Sequence, residues 1–341
     1  MSNVGQIERI TQKKVVQFFE LGLKYDYLGD WKDRTESGNI EPQYLIPFLK
    51  KQGYSDTLIT KAIDKLTKDT SDLGKSLYDA NKDTYSLLRY GVKVRPDVGE
   101  NKETVWLIDW EKPTNNHFAI AEEVTVSGNH TKRPDIVIYV NGIALGVIEL
   151  KRSTVGVTEG IRQNLLNQEK DVIGSFYTTM QFLMAGNDTE GLRYGTIETS
   201  EKYYLQWKEN SDEENKLLKH ISQLCNKERF LELIHDFIVF DKGVKKLCRH
   251  NQYFGVKAAQ ERIQQREGGI IWHTQGSGKS LTMVWLTKWL RENVDDARVL
   301  IITDREELDS QIEKVFKGVQ EDIYRTTSGR DLIDTLNQKN E

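Results

Sequence analysis

Two segments of the 341-residue chain set residues at spacings that could do chemistry. In the first, Pro134-Asp135 is followed, after an apolar run interrupted by Asn141-Gly142, by Glu149-Leu150-Lys151. Two carboxylates brought together suit Mg2+, a hard cation that prefers oxygen ligands. Such an ion polarises a phosphate and lowers the pKa of an attacking water, and a nearby lysine orients that water or offsets developing charge. Ile148 and Leu150 flank Glu149, so an acid and a base interrupt an otherwise apolar strand. Glu-x-Lys alone also describes the solvated face of an edge strand. Asp135 behind its proline, with a hairpin between, singles out Asp135, Glu149 and Lys151 as catalytic candidates, with Asp135 and Glu149 as metal ligands.

The second segment is His273-Thr274-Gln275-Gly276-Ser277-Gly278-Lys279-Ser280, which follows an apolar stretch and opens an amphipathic run through Leu281, Val284, Trp285 and Trp289. The glycines let backbone N–H groups turn onto phosphate oxygens, and a helix N-terminus adds partial positive charge. Lys279 would reach the β and γ phosphates of ATP, and the Ser280 hydroxyl would bind the Mg2+ that travels with it. His273 stands where the strict phosphate-loop pattern has glycine.

The first segment carries a geometric condition. Glu149 and Lys151 share a strand face, but Asp135 joins them only if the hairpin is out of simple two-residue register. A two-residue Asn-Gly turn with straight strands pairs 140 with 143 and turns Asp135 away. A three-residue loop with Gly142 left-handed and a bulge pairs 139 with 143, and 135 with 147, on the face of Glu149. That loop, or a bulge of equal effect, is predicted.

These residues need elements to hold them. At 38% hydrophobic, the chain can bury a sizeable core, and its length suggests two or three domains. A net charge of −4 does not advertise a polyanionic partner, so a nucleic-acid surface would have to be local. The seven basic residues between Asp241 and Arg266, against Asp241 and Glu261, make one such excess, although a solvated helix face reads the same way. Cys225 and Cys248 are too few for a disulfide framework and too distant for a CxxC motif. With no membrane-length apolar run and no signal-peptide core, a cytoplasmic protein is expected.

Apolar spacing predicts helices across residues 7–66, with a polar boundary at 67–82 in which Leu73, Leu77 and Tyr78 could extend the helix. Strands are predicted at 90–94, 104–108, 118–126, 136–140 and 143–150, helix at 158–183, and a surface turn or link at 209–216. Strand, glycine loop, helix and strand follow at 269–272, 273–278, 279–291 and 299–303. The fold class is therefore α/β: a helical N-terminal segment (1–82), a mixed sheet flanked by helices (83–240), and an incomplete parallel α/β lobe (241–341).

The Asp135–Lys151 segment has the form of a PD-(D/E)xK nuclease, and residues 273–280 resemble motif I of superfamily 2 helicases, which places the third segment in a RecA-like lobe. Arg249-His-Asn-Gln252 resembles the Q-motif, whose glutamine reads adenine, although an ordinary surface glutamine fits too. Thr303-Asp304-Arg305 resembles the segment after motif Ia and marks Arg305 as a DNA-contact candidate. Tyr85–Val94, Thr104–Trp110, Arg133–Gly142 and Ile271–Met283, with its WHTQGSGKS core, together resemble the restriction subunit of type I restriction-modification enzymes. That resemblance implies double-stranded DNA as substrate, ATP and Mg2+ as cofactors, and modification and specificity subunits as partners. Many such subunits carry QxxxY after the nuclease strand; here Gln163 is present but Asn167 takes the tyrosine position, so the DNA contact expected there is in doubt. Glu41 matches either an acidic helper at the metal or an ordinary helix-start glutamate.

No Walker B Asp-Glu pair or second motor lobe lies in this sequence, so weak nucleotide binding and poor hydrolysis are expected of the chain alone. The alternatives to an active nuclease part are a non-catalytic remnant that docks on the methyltransferase core, and a stand-alone repair-type nuclease or helicase.

Overall fold

The computed structural model describes residues 3–71, 74–97, 99–128, 130–319 and 323–338, so Leu73 and the chain's last residue lie outside the described residues. Two compact units emerge: residues 1–238 with 243–250, and residues 239–242 with 251–341.

The first unit opens with α1 (Asn3–Gln17), then α2 (Pro42–Lys51), α3 (Asp56–Thr70) and α4 (Leu77–Tyr90). Ser55 and Ser76 start α3 and α4 by accepting the backbone N–H groups of Leu58 and Asp79. The expectation of helix throughout 7–66 fails from about residue 23 to residue 41, which is strand, turn and irregular chain. Asp26–Asp30 forms β1, where Gly29 takes a φ of 108° that no helix accommodates.

Strands β2 (Val92–Val94) and β3 (Glu103–Val105) pair as a small antiparallel ribbon. The principal sheet adds β4 (Phe118–Glu122), β5 (Ile136–Val140), β6 (Ile143–Leu150), β7 (Phe182–Asn187) and β8 (Gly191–Gly195) to β1, in the order β1-β4-β5-β6-β7-β8. It is mixed: β1 runs parallel to β4 and β6 to β7, and the other neighbours are antiparallel. Helix α5 (Val157–Asn167) makes the crossover from β6 to β7.

Helix was expected as far as residue 183, but it stops at Asn167; a short turn at Gly174–Thr179 leads into β7. All six residues of β7 are buried, and a short apolar run covered on both faces has no alternation to betray it as a strand. One face of the sheet packs Val137, Tyr139, Val147 and Leu183 against Phe176, Tyr177 and Met180. On the other, Phe182 packs in a tilted arrangement against Phe230 of α7 (Lys227–Asp236), with ring centroids 5.3 Å apart. The α6 helix (Lys216–Cys225) closes onto Gly186, where an added Cβ would lie 2.6 Å from Leu217.

The second unit contains most of α8 (His250–Gln264), then α9 (Lys279–Asn293), α10 (Glu306–Gly318) and α11 (Gly329–Asn337). Val284 and Trp285 of α9 and Ile312 and Phe316 of α10 form its buried centre. The strands expected at 269–272 and 299–303 carry no regular secondary structure, and Ile270, Trp272 and Ile302 are 87%, 89% and 83% exposed. A parallel strand draws its hydrogen bonds from flanking strands and its apolar cover from helices on both faces. No described segment of this unit pairs with either stretch. Among the described residues, no helix is long and apolar enough to cross a membrane.

Candidate active site

Asn141 and Gly142 make a two-residue turn, with φ of 50° and 79° and Val140 paired to Ile143. Both residues lie in the left-handed region that such a hairpin turn requires. The three-residue loop predicted from the sequence is thus not formed. A bulge does its work instead. Tyr139 pairs with Ala144, but Ile138 pairs with Gly146, so Leu145 is an extra residue in β6. Its carbonyl is satisfied by the Gln181 N–H at 2.8 Å. Beyond the bulge Val137 faces Val147 and Ile136 faces Ile148; one step further, Asp135 stands opposite Glu149. The Leu150 N–H donates to Asp135 Oδ2 at 2.6 Å, tying that carboxylate to the glutamate's strand.

Glu149 is completely buried. Asn167 Nδ2 lies 3.5 Å from its Oε1, and its Oε2 has no hydrogen-bond partner. Burial pushes the carboxyl well above its ordinary range; Asp135 opposite raises it further, Lys151 pulls it down, and Glu123 adds to the rise. A half-buried carboxylate facing a fully buried one, with Lys151 as a nearby cation, makes a site whose second acid is held against its ordinary ionisation. The Lys151 N–H bonds to the Gly186 carbonyl, and its Nζ donates to the Leu150 carbonyl at 3.1 Å. Among the described residues no group of three or more His, Cys, Asp or Glu side chains is gathered as a metal cage. Two carboxylates with coordination positions left for water suit Mg2+, which dehydrates reluctantly.

The fold explains why the pair stays so close to its neighbours. Gly160 lets α5 approach β6: an added Cβ would lie 3.0 Å from Ala185 Cβ and 3.5 Å from Glu149 Cβ. Asn167, at the end of that helix, is buried against Glu149 and does not reach outward to a ligand. Gln163 is half-buried on the same helix. Glu41 goes elsewhere. It precedes α2 beside the hairpin turn without a side-chain capping bond, its N–H bonds to the Gly142 carbonyl, and its carboxylate pairs with Arg34 at 2.6 Å.

Glu123 escaped sequence reading. It follows β4 with a φ of 50°, donates its N–H to the Asp135 carbonyl at 3.0 Å, and takes Gln12 Nε2 at 3.3 Å. Only its adjacency to Glu122 marks it in sequence.

In the second unit, Gly276 and Gly278 turn through φ of 77° and 87° at the mouth of α9. Ser277 Oγ donates to the Thr274 carbonyl at 2.7 Å. Lys279 Nζ folds back onto the carbonyls of His273 and Thr274 at 3.3 and 3.2 Å. Gln275 and Ser280 complete the loop and the first turn of α9. Gln252, buried on α8, donates its amide to the Gly278 carbonyl at 2.9 Å, so the glutamine read as an adenine contact touches the loop itself. Arg305 is exposed at the start of α10, 3.7 Å from Asp304.

Comparison with known proteins follows the same division. Residues 6–203 match the family model for the type I restriction enzyme R protein N terminus, and residues 251–341 match that for SWI2/SNF2 ATPases. The endonuclease subunit of the type I restriction enzyme HindI of Haemophilus influenzae is 29% identical over 375 residues, covering 99% of this chain and 35% of its own length. The endonuclease subunits of SauMSSORF170P of Staphylococcus aureus and SsaAORF53P of Staphylococcus saprophyticus are each 26% identical, over 78% and 83% of this chain and 29% and 30% of their own. The chain spans about a third of the length of these curated relatives.

Proposed function

This chain belongs to the family of type I restriction enzyme R proteins, matched over more than half its length, and we propose that residues 83–240 are its Mg2+-dependent endonuclease domain. In this reading residues 1–82 are a segment that packs on the nuclease, and residues 241–341 begin the ATP-driven lobe that moves DNA in the whole protein. The single observation that carries it is the bulge at Leu145, which brings the half-buried Asp135 to the face of the buried Glu149. A straight hairpin would have separated them. The relatives' own names as restriction endonuclease subunits support the reading.

Asp135 and Glu149 would hold Mg2+, which supplies a polarised phosphodiester and an acidified water. Lys151, on the face of Glu149, offsets charge that develops on the phosphate as the bond breaks. Burial around Glu149 keeps bulk water from screening these interactions. In the second unit the loop 274–278 would hold the phosphates of ATP, with Lys279 as the cation for the β and γ phosphates, Ser280 as the hydroxyl ligand for the accompanying Mg2+, and Gln252, already bonded to the loop, as the group for adenine. Gln163 and Arg305 are the proposed contacts to double-stranded DNA. Modification and specificity subunits are the proposed cytoplasmic partners, which choose the target.

Incubation of the chain with supercoiled plasmid tests the nuclease. Nicking that needs Mg2+, is lost in Glu149→Ala and survives in Lys279→Ala is expected. Absence of nicking under all Mg2+ conditions would favour a docking remnant, and nicking undiminished in Glu149→Ala would place catalysis elsewhere.

A further inference from the structure

The end of the sheet that carries Asp135 and Glu149 also gathers cations that the proposed reaction does not use. Strands β5 and β6 are antiparallel neighbours, so the chain entering β5 adjoins the chain leaving β6, and the Leu150 N–H bond to Asp135 Oδ2 joins the two there. The first brings Lys132 and Arg133 just ahead of Asp135; the second brings Arg152 just after Lys151. Both stretches are fixed through their backbones. Val126 and Lys132 exchange N–H to carbonyl bonds at 2.9 and 3.0 Å, and the Val124 N–H bonds to the Pro134 carbonyl at 3.1 Å. The Arg152 carbonyl accepts the Val155 N–H at 2.9 Å, closing a turn before α5. The side chains are not fixed in this way. Arg133 is exposed, Lys132 and Arg152 are half-buried, and among the described residues none of the three makes an ion pair or a side-chain hydrogen bond.

The acids on the adjoining strand ends are in the opposite state. Strands β4, β6 and β7 run the same way, so the residues just past them share this end of the sheet. Glu122 and Glu123 take the Gln12 amide at 2.9 and 3.3 Å, Asp188 takes Lys14 at 2.8 Å, and Glu190 takes the Val157 N–H at 2.9 Å. These anions are engaged, while the three cations beside the acid pair are not. Like charges side by side repel, and an anion with several charged groups laid across them turns that cost into attraction. A phosphodiester chain has that form: its charges repeat along a line, and planar guanidinium groups bond phosphate oxygens in pairs.

We propose that Lys132, Arg133 and Arg152 form a phosphate clamp around the acid pair, with Lys132 and Arg133 on the Asp135 side and Arg152 on the Lys151 side. The clamp holds the backbone of a DNA strand across the two carboxylates, independently of base sequence and before any divalent ion enters. It grips the substrate and not the reacting atoms, so its loss raises KM and leaves kcat. The inference rests on the proposed function for its ligand, duplex DNA, and adds the residues that hold it.

Fluorescence anisotropy of a labelled DNA duplex with the 341-residue chain, in chelator and over a series of salt concentrations, tests the clamp. Wild type binds, and Glu149→Gln binds no more weakly. Arg133→Gln and Arg152→Gln each weaken binding about tenfold, the scale of one charge-assisted contact. Each also lowers the slope of log affinity against log salt by about 0.9, the signature of one lost phosphate contact, which a merely structural role would not move. Lys93→Gln, at an exposed position on the separate β2–β3 ribbon, stays within about twofold of wild type, since charges away from the contact are screened. In plasmid nicking the arginine variants raise KM by the same factor as their loss of affinity and keep kcat. If Arg152→Gln melts below wild type, Arg133→Gln and Lys132→Gln decide on the same criteria. A wild type that does not bind duplex in chelator, or arginine variants no weaker than Lys93→Gln, would overturn the inference alone. Nicking undiminished in Glu149→Ala, with binding still dependent on the arginines, overturns the nuclease reading and not the clamp.

Discussion

Replacing Glu149 by glutamine should stabilise the ion-free chain while abolishing its function. The carboxylate has no solvent exposure, one long contact from Asn167 and a second carboxylate opposite it. Glutamine keeps the shape, removes the charge and offers Asp135 an N–H donor. Relief of an unsatisfied buried acceptor is worth about 1–3 kcal/mol, more when the group is charged. For a unit of this size each kcal/mol moves the melting temperature by about 2–4 °C, so a rise of roughly 2–12 °C is expected at neutral pH. The pH dependence has a definite sign. Burial and Asp135 raise the Glu149 carboxyl in the fold above its value in the unfolded chain. Its neutral form is therefore compatible with the fold below the unfolded value, and stability is lost as pH rises through the folded value. The gap between variant and wild type should be small at a pH in the ordinary carboxylate range and wide at a pH well above it. Saturating Mg2+ should close it by stabilising wild type alone, by about 2.7 kcal/mol at a hundredfold excess over the dissociation constant. Thermal melts at the two pH values, with chelator and with Mg2+, measure all of this. A Glu149→Gln variant that melts at or below wild type in chelator at the higher pH would refute the strained-carboxylate reasoning.

Lys151→Met should leave Mn2+ affinity within a few-fold of wild type and slow nicking by about 100-fold or more, the scale of losing one charge-stabilising donor; equal loss of ion binding would move Lys151 into a structural role. Gly160→Ala pushes a Cβ to 3.0 Å from Ala185 on β7, and should cost about 1–3 kcal/mol in thermal stability as α5 lifts from the sheet. An unchanged melting temperature would show that the helix has room. Lys279→Ala should weaken a fluorescent ATP analogue by about 10-fold or more through loss of a charge-assisted contact, with Mg2+-dependent nicking unaltered. A parallel loss of nicking would instead couple the two units.

Much of the site was legible because its residues contradict their surroundings. Glu149 and Lys151 break an apolar strand, and Asn141-Gly142 announces a tight turn, so chemistry and hairpin can be read together. Parity could be demanded from the sequence, but the device that satisfies it could not. Leu145 is an ordinary apolar residue, and a bulge is decided by what each neighbouring strand offers the extra backbone groups, here Gln181. The helix expected over 158–183 runs past its true end at Asn167 into the start of Phe182–Asn187, because a strand buried on both faces loses its period of two. The opposite error befell 269–272 and 299–303, whose apolar residues satisfy a strand pattern without strands to pair with.

Anomalous scattering from crystals of the chain soaked in Mn2+ tests the cation site most directly. A peak bridging Asp135 and the free oxygen of Glu149, missing from crystals of Glu149→Gln, is the expected result. Mn2+ bound elsewhere on the chain, with none between these two carboxylates, would contradict it.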